Sequence, residues 1–387
     1  MIDPLERWAR YGEKPDYAGL LTYGGAVYAQ DPAELAGFDV AVVGAPTDDL
    51  VSDRPGTRFA PRAIRAASCP PGPHLEAGVD AFAALRIVDF GDAPVLPADP
   101  ARSQEAIEAT VAQVVGAGVL PIVLGGDHAV TEPAVRACAA AHGPVGVVHF
   151  DTHTDTGAEV FGVDVSHGTF MRRLVDAGLV DPARYAQIGL RGYWPGEAEF
   201  AWQAERGITS FFAHDVRDLG IREVVRRAVE AVGVSGPVYL TVDVDVLDPA
   251  FLGAGTGTPE PGGMSSTELL LAVRTVASEL ELVGADVVEV IPTAVGSADL
   301  SALVADRVVR EALTGIALRR AGARGGTATS LRSVLVGPTI AAVVPGCATR
   351  FTVSSMSPAS RRSAATDSPR PTTKTSVACV GSSRWTS

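Results

Sequence analysis

Short apolar runs alternate with longer amphipathic stretches along the first 320 residues. The runs are rich in Val, Ile and Leu with little polar alternation, which is typical of parallel strands covered on both faces. Eight of them are predicted as strands: Val40–Val43, Ile87–Asp89, Leu120–Leu124, Val145–Phe150, Ala186–Gly189, Thr209–Phe212, Val238–Val242 and Val283–Val290. The intervening stretches predict helices, among them Glu105–Ala117, Thr131–Ala141, Ile221–Ala231 and Ser266–Leu280. This alternation predicts a three-layer α/β/α domain around a central parallel sheet of about eight strands.

The pattern ends abruptly after Arg320. From residue 322 onward about a third of the residues are Ser or Thr, and eight basic residues face a single acid, Asp367. Such a segment lacks the apolar surface that a folded core requires. We therefore expect a lead segment at 1–35, one folded domain at 36–321, and a tail at 322–387. The tail is either a disordered extension or an out-of-frame reading of a GC-rich gene.

Composition excludes several classes of protein. Hydrophobic residues make up 47% of the 387 residues, which is ample for a large core, and the net charge of −13 argues against a general nucleic-acid binder. The first twenty residues lack a basic region followed by an apolar run, so no signal peptide is predicted. No apolar stretch approaches the ~20 residues of a membrane span. We expect a cytoplasmic protein without a membrane or nucleic-acid partner.

Three clusters of acidic and histidine residues each follow an apolar strand directly. Side chains two residues apart on an extended segment point the same way, and the carboxyl ends of parallel strands share one edge of the sheet. The clusters, far apart in sequence, are therefore predicted to converge. They are Gly125-Gly126-Asp127-His128, then Asp151-Thr152-His153-Thr154-Asp155, then Asp243-Val244-Asp245-Val246-Leu247-Asp248-Pro249.

So many carboxylates in one pocket repel one another unless cations compensate them. A mostly oxygen ligand set with some imidazole suits Mn²⁺ better than Zn²⁺. Carboxylates shared by two ions give a pair about 3.5–4 Å apart that can clamp a bridging hydroxide. The sequence thus predicts a metal centre, and no organic cofactor.

From about Phe38 to Arg319 the chain resembles the arginase/agmatinase (ureohydrolase) family. The three clusters correspond to the family's metal-binding signatures in order and spacing. The stretches Arg54–Pro61, Ser166–Thr169, Gly255–Glu260 and Glu289–Pro292 match further family motifs. The resemblance implies an arginase/deacetylase-like fold and a catalytic domain at residues 36–321. It also implies two Mn²⁺ per subunit and hydrolysis of a small guanidino compound to urea and an amine, with agmatine and polyamine biosynthesis as first expectation. A homo-oligomer, trimer or hexamer, is expected.

The family pattern also implies a role for each site residue. It makes His128 and Asp155 ligands of one metal, His153 and Asp245 ligands of the other, and Asp151 and Asp243 bridging ligands. His167 takes the position of the active-site histidine, and Glu289 that of the guanidinium-binding carboxylate. Asp155 would also act as the proton shuttle, with His167 as the relay to solvent. Asp127 and Asp248 are expected to be supporting or capping groups, and His149 to be structural.

The sequence departs from the family pattern at one place and leaves three alternative functions open. After Pro292 the family usually continues with a Tyr-Asp pair, whereas here Thr293-Ala294-Val295-Gly296 follows with an apparent one-residue length change. The first alternative is a guanidino acid substrate such as 4-guanidinobutanoate, whose carboxylate Arg172 or Arg173 could receive. The second is a deacetylase-like enzyme with a single zinc ion. The third is a catalytically dead binding paralogue.

Overall fold

The structure is a computed structural model that describes residues 1–323, except residues 13, 16 and 69–71. All strands pair in parallel in one nine-stranded sheet, in the order β1-β3-β2-β4-β9-β8-β5-β6-β7. The strands are β1 (Val27–Tyr28), β2 (Val40–Gly44), β3 (Ile87–Asp92), β4 (Leu120–Leu124), β5 (Val145–Phe150), β6 (Val180–Leu190), β7 (Thr209–Phe212), β8 (Val238–Asp243) and β9 (Leu282–Val288). The predicted parallel sheet is confirmed.

Helices cover the sheet, and the four predicted helices are found within a few residues of their predicted ends. The helices are α1 (Ala60–Ala67), α2 (Ala81–Ala84), α3 (Pro100–Gly116), α4 (Thr131–His142), α5 (Phe170–Asp176), α6 (Glu197–Arg206), α7 (Ala213–Leu219), α8 (Ile221–Val232), α9 (Ser266–Glu279) and α10 (Leu300–Ala323). None of the helices in the described ranges combines the length and the apolar character that crossing a membrane requires.

Two cores flank the sheet because successive side chains of a strand point to opposite faces. On β8, Leu240 and Val242 pack into a core shared with α8, α9 and α10, whereas Tyr239 packs on the other side with α3, α4 and α5. The side chains of strand β5 alternate in the same way, with Phe150 on the first face and Val147 on the second. This division produces the three-layer α/β/α arrangement that the sequence predicted.

The structure differs from the prediction in several places. Strand β6 begins at Val180, six residues before the predicted start at Ala186, and β3 extends to Asp92 rather than Asp89. The lead segment contributes the two-residue edge strand β1, which is too short to give a sequence pattern. Strand β9 ends at Val288 rather than Val290, because the backbone at Glu289 turns to φ 61°. Helix α10 continues through Ala323, two residues into the predicted tail, and the rest of that tail lies outside the described residues.

Candidate metal centre

The three predicted clusters and Glu289 meet at one edge of the sheet. They follow β4, β5, β8 and β9, and these four strands are consecutive neighbours in the order β4-β9-β8-β5. Each strand therefore delivers its polar residues to the same place, since parallel strands share their carboxyl edge. The side chains of His128, Asp151, Asp155, Asp243 and Asp245 are buried there.

Three carboxylates surround one imidazole nitrogen. His128 Nδ1 lies 3.1 Å from Asp151 Oδ2, 3.0 Å from Asp155 Oδ2 and 3.2 Å from Asp243 Oδ2. Among the described residues, none makes a well-directed hydrogen bond with this buried nitrogen. Three carboxylates around one imidazole nitrogen are unfavourable unless a positive charge, from a proton or a metal ion, lies among them.

The opposite nitrogen of His128 fixes its tautomer. The Thr241 hydroxyl donates to Asp286 Oδ1 at 2.6 Å, so its oxygen accepts from His128 Nε2–H at 2.8 Å. Asp286 is held in turn by the hydroxyls of Tyr239 and Thr131. The Nδ1 lone pair is then available for a metal ion, an arrangement common behind metal-binding histidines.

A second group of ligand atoms shares Asp151 with the first. His153 Nδ1 lies 3.1 Å from Asp245 Oδ2 and 3.6 Å from Asp151 Oδ1. The candidate ligand atoms of these three residues all lie within 4.8 Å of one another. Asp151 thus presents one oxygen to each group, as a bridging ligand must. Asp243 offers Oδ2 to the His128 group, and its Oδ1 accepts the Asp245 backbone N–H at 2.8 Å.

The electrostatics of these acids also fit bound cations. Burial raises the pKa of Asp243 well above its ordinary value, and the negative charges of Asp245 and Asp151 raise it further. Burial and the charge of Asp151 likewise raise the pKa of Asp155. Burial and the neighbouring negative charges thus disfavour the ionised forms of these two acids, and bound divalent cations would stabilise those forms. The residues fit a metal centre, and this cluster could bind metal ions.

His149 was expected to be structural, but it touches the candidate ligands directly. Its Nε2 lies 2.8 Å from Asp151 Oδ2, and its Nδ1 lies 2.8 Å from the Tyr185 hydroxyl and accepts from Gln187 at 3.2 Å. With both ring nitrogens engaged, His149 orients Asp151. His149 lies two residues before Asp151. The two-residue spacing that predicts a shared face for Asp151, His153 and Asp155 therefore also predicts that His149 faces this site.

Glu289 and His167, the other two predicted site residues, form a pair beside this cluster. Glu289 Oε1 accepts the His128 backbone N–H at 2.9 Å and lies 2.8 Å from His167 Nδ1. Among the described residues, Glu289 Oε2 is buried without a hydrogen-bonding partner. Burial lowers the pKa of His167, but the charge and hydrogen bond of Glu289, together with the charges of Asp155 and Asp127, outweigh burial and raise that pKa to about 9. His167 Nε2 lies 2.7 Å from the Ser52 hydroxyl at the surface.

Two of the candidate site acids have an unusual backbone. Asp155 has φ 50° and Glu289 has φ 61°, a region that non-glycine residues rarely occupy. Such conformations cost on the order of 1–3 kcal/mol each and are found where surrounding contacts enforce them, often at functional sites. At Asp155 the chain turns back, and its carbonyl accepts the Met171 N–H at 3.1 Å.

Asp127 and Asp248 are confirmed as capping residues. Asp127 Oδ1 accepts the Ala129 N–H at 3.0 Å and begins the short helical turn His128–Val130. Asp248 accepts the N–H groups of Ala250 and Gly262 at 2.9 and 2.8 Å. Both side chains thus shape the backbone that carries the candidate ligands.

A cavity of about 350 Å³ lies over the cluster. Asp155, Asp243 and Glu159 give its lining an acidic character, and Phe161 and Trp194 add two aromatic side chains. No Lys or Arg occurs among the described residues that line it. The cavity is therefore suited to a small cationic molecule.

The two arginines that the sequence offered for binding a carboxylate lie elsewhere. Arg172 donates to the Thr156 carbonyl at 2.8 Å, and its guanidinium carbon lies 4.3 Å from the centre of a Trp202 ring. Arg173 Nε is 2.9 Å from Glu132 Oε2. Neither is among the described residues that line the cavity.

Comparison with known proteins agrees with this geometry. The sequence pattern of the Arginase family matches residues 38–315. The chain belongs to the Arginase family. It is an amidinohydrolase that acts on guanidino C–N bonds, and the family match favours this interpretation over the deacetylase-like alternative.

Individual members of the Arginase family show how much of the chain is shared. The chain is 38% identical over 281 residues to guanidinobutyrase of Pseudomonas aeruginosa, covering 72% of this chain and 87% of that enzyme. It is 38% identical over 275 residues to agmatinase of Cronobacter sakazakii, covering 70% and 85%. The structure of proclavaminate amidinohydrolase from Streptomyces clavuligerus superposes with a TM-score of 0.74 at 36% identity, covering 79% of this chain and all of that one. These relatives differ in the substrates that their names state.

Proposed function

We propose that this protein is a dinuclear manganese ureohydrolase that cleaves agmatine to putrescine and urea. The observation that carries the proposal is the pair of ligand groups sharing Asp151, with the free oxygen of Glu289 beside them. His128 and Asp155 would hold one ion, His153 and Asp245 the other, and Asp151 and Asp243 both. An oxygen-rich set with two imidazoles suits Mn²⁺.

Two bound divalent cations would lower the pKa of water at the site towards about 7 and so supply hydroxide at neutral pH. Glu289 would bind the guanidinium through Oε2, because a buried carboxylate oxygen without a partner favours a charge-assisted hydrogen bond. Its Oε1 is already held by His128 N–H and His167, so the carboxylate is fixed in direction. This fixed direction orients the guanidinium carbon for attack.

The departing amine needs a proton, and the chain offers a route for it. Asp155 lines the cavity beside the ligand groups and would transfer the proton. His167 lines the cavity and joins the buried Glu289 to the Ser52 hydroxyl at the surface. His167 would therefore relay protons between the cavity and solvent.

The charge of the cavity favours an amine over an acid at the far end of the substrate. Agmatine carries a second cation, which Glu159 and the faces of Phe161 and Trp194 would attract. The described lining offers a carboxylate no Lys or Arg, and the charge of His167 is already paired with Glu289. A guanidino acid such as 4-guanidinobutanoate stays as the second candidate, because the relative named guanidinobutyrase is as similar as the one named agmatinase.

A substrate panel tests this proposal. Purified protein with added Mn²⁺ is assayed for urea release from agmatine, 4-guanidinobutanoate, 3-guanidinopropanoate and arginine. We expect the highest kcat/KM with agmatine. In Glu159→Gln, kcat/KM should fall for agmatine but not for the other three compounds. A preference for 4-guanidinobutanoate would select the second candidate, and no urea release from any compound would support a dead paralogue.

Metal content and assembly are measured on the same preparation. We propose two Mn²⁺ per subunit, measured by inductively coupled plasma mass spectrometry after dialysis. We also propose a cytoplasmic homo-oligomer, a trimer or hexamer, acting in polyamine biosynthesis. Light scattering after size exclusion gives the subunit number directly.

A further inference from the structure

The segment after Glu289 departs from the family pattern, yet the structure holds it firmly. Residues 293–296 stand where the family usually has its Tyr-Asp pair. The side chain of Asp299, which is buried, reaches back to this segment. Asp299 Oδ2 accepts the Ala294 N–H at 2.7 Å, the Thr293 N–H, and the Thr293 hydroxyl at 3.3 Å.

The other oxygen of the same carboxylate holds the start of α10. Asp299 Oδ1 accepts the Ala302 N–H at 2.8 Å and the Ser301 hydroxyl at 2.6 Å. One buried carboxylate thus joins the segment behind Glu289 to the helix that packs against α9. Hydrogen bonds to a charged group are stronger than neutral ones, so this junction is a firm one.

Through Ser301, these contacts extend to the loop of residues 255–258, which faces Glu289. Ser301 Oγ also lies 3.2 Å from the Ile291 carbonyl, and the Ile291 N–H donates to the Gly255 carbonyl at 2.8 Å. Ser301 packs so closely on Gly255 that a Cβ there would lie 2.4 Å from Ser301 Cβ. In the same loop, a Cβ at Gly257 would lie only 3.6 Å from Glu289 Oε2.

We propose that Asp299 is a positioning residue for Glu289. It holds Thr293 and Ala294 directly and contacts Ile291 and Gly255 through Ser301, so that the backbone following Glu289 is held. This support keeps Glu289 in its strained conformation, with Oε2 directed at the guanidinium. The hydrogen bonds of the Asp299 side chain go to Thr293, Ala294, Ser301 and Ala302, and within the described residues none goes to a candidate metal ligand. The inference rests on the proposed ureohydrolase function.

Asp299→Asn tests the proposal because it keeps the side-chain volume but removes one acceptor. The two oxygens of Asp299 face separate groups of donors, so the amide of Asn must direct its own N–H groups at one of them. We expect kcat/KM for the best guanidino substrate to fall about tenfold, with Mn²⁺ per subunit unchanged. Asp218→Asn, at an exposed position on α7, is the matched control and should have wild-type kinetics.

A double mutant separates positioning from a merely structural role. If Asp299 acts through Glu289, the double variant should have the same kcat/KM as the single variant Glu289→Gln, because Asp299→Asn then has nothing further to remove. Additive losses, unchanged kinetics, or loss of metal in Asp299→Asn would each overturn the proposal. If Asp299→Asn does not fold, Ser301→Ala, which removes one donor only, should show a smaller loss with the same non-additivity. Absence of urea release by the wild type would instead contradict the proposed function.

Discussion

Replacement of Glu289 by Gln is the most direct test of the site. Gln has the shape of Glu, so the left-handed backbone at this position and the surrounding packing stay as they are. With its carbonyl oxygen at the Oε1 position, Gln still accepts from His128 N–H and His167. Its amide group must then occupy the Oε2 position, where the N–H groups face the N–H groups of a guanidinium. The variant therefore removes the charge-assisted interaction with the guanidinium, and it also lowers the pKa of His167, which the charge of Glu289 raises.

The size of the effect follows from that interaction. A hydrogen bond to a charged group contributes about 1.5–3 kcal/mol, and every 1.4 kcal/mol is about a factor of ten. We expect kcat/KM for urea release to fall by about 10- to 150-fold. The Mn²⁺ content should stay at the wild-type value, because Glu289 is not among the groups of candidate ligand atoms.

The assay combines steady-state urea release with metal analysis on the same preparation. Glu281→Gln, an exposed position just before β9, controls for loss of one negative charge. Wild-type kinetics in Glu289→Gln would show that this carboxylate does not bind the substrate. Loss of metal would make it a ligand, and either result refutes the reasoning.

Three further predictions concern other parts of the chain. Asp243→Ala should lose metal and urea release while circular dichroism shows a folded protein; wild-type turnover would contradict its role as a bridging ligand. Thr241→Val breaks the link between His128 and Asp286 and should weaken Mn²⁺ affinity by about 10- to 100-fold, measured by metal titration. Truncation after Ala323 should leave the melting temperature and urea release unchanged, and a large loss of either would show that the tail stabilises the domain.

The sequence predicted the parts of the site that follow directly from strand ends. Apolar runs located the strands, and the two-residue period placed Asp151, His153 and Asp155 on one face. The edge strand β1 was missed because two residues carry no periodic signal. Asp286 was missed because its partner, Thr241, lies on a neighbouring strand, and strand pairing cannot be read from one sequence.

Backbone conformation and long-range hydrogen bonds were likewise beyond the sequence. The pattern Val283–Val290 looked like one strand, since nothing in it marks the left-handed turn at Glu289. In the sequence, the absence of the family's Tyr-Asp pair appears only as a local departure from the family pattern after Pro292. The contacts of Asp299 with residues 293 and 294 depend on a chain reversal that only the folded structure reveals.

The position of β9 in the sheet has a consequence for how the protein is made. Strand β4 pairs with β2 and β9, and β8 pairs with β5 and β9, so β9 alone joins the two halves of the sheet. On the ribosome, the strands of β1–β4 and of β5–β8 can pair early, but the two parts of the sheet cannot be joined through strand pairing until residues 282–288 emerge. The sheet edge that carries His128 and the acids of the other half is therefore complete only when nearly the whole domain has been synthesised. A nascent chain shortened before β9 should expose two unpaired strand edges and depend on chaperones.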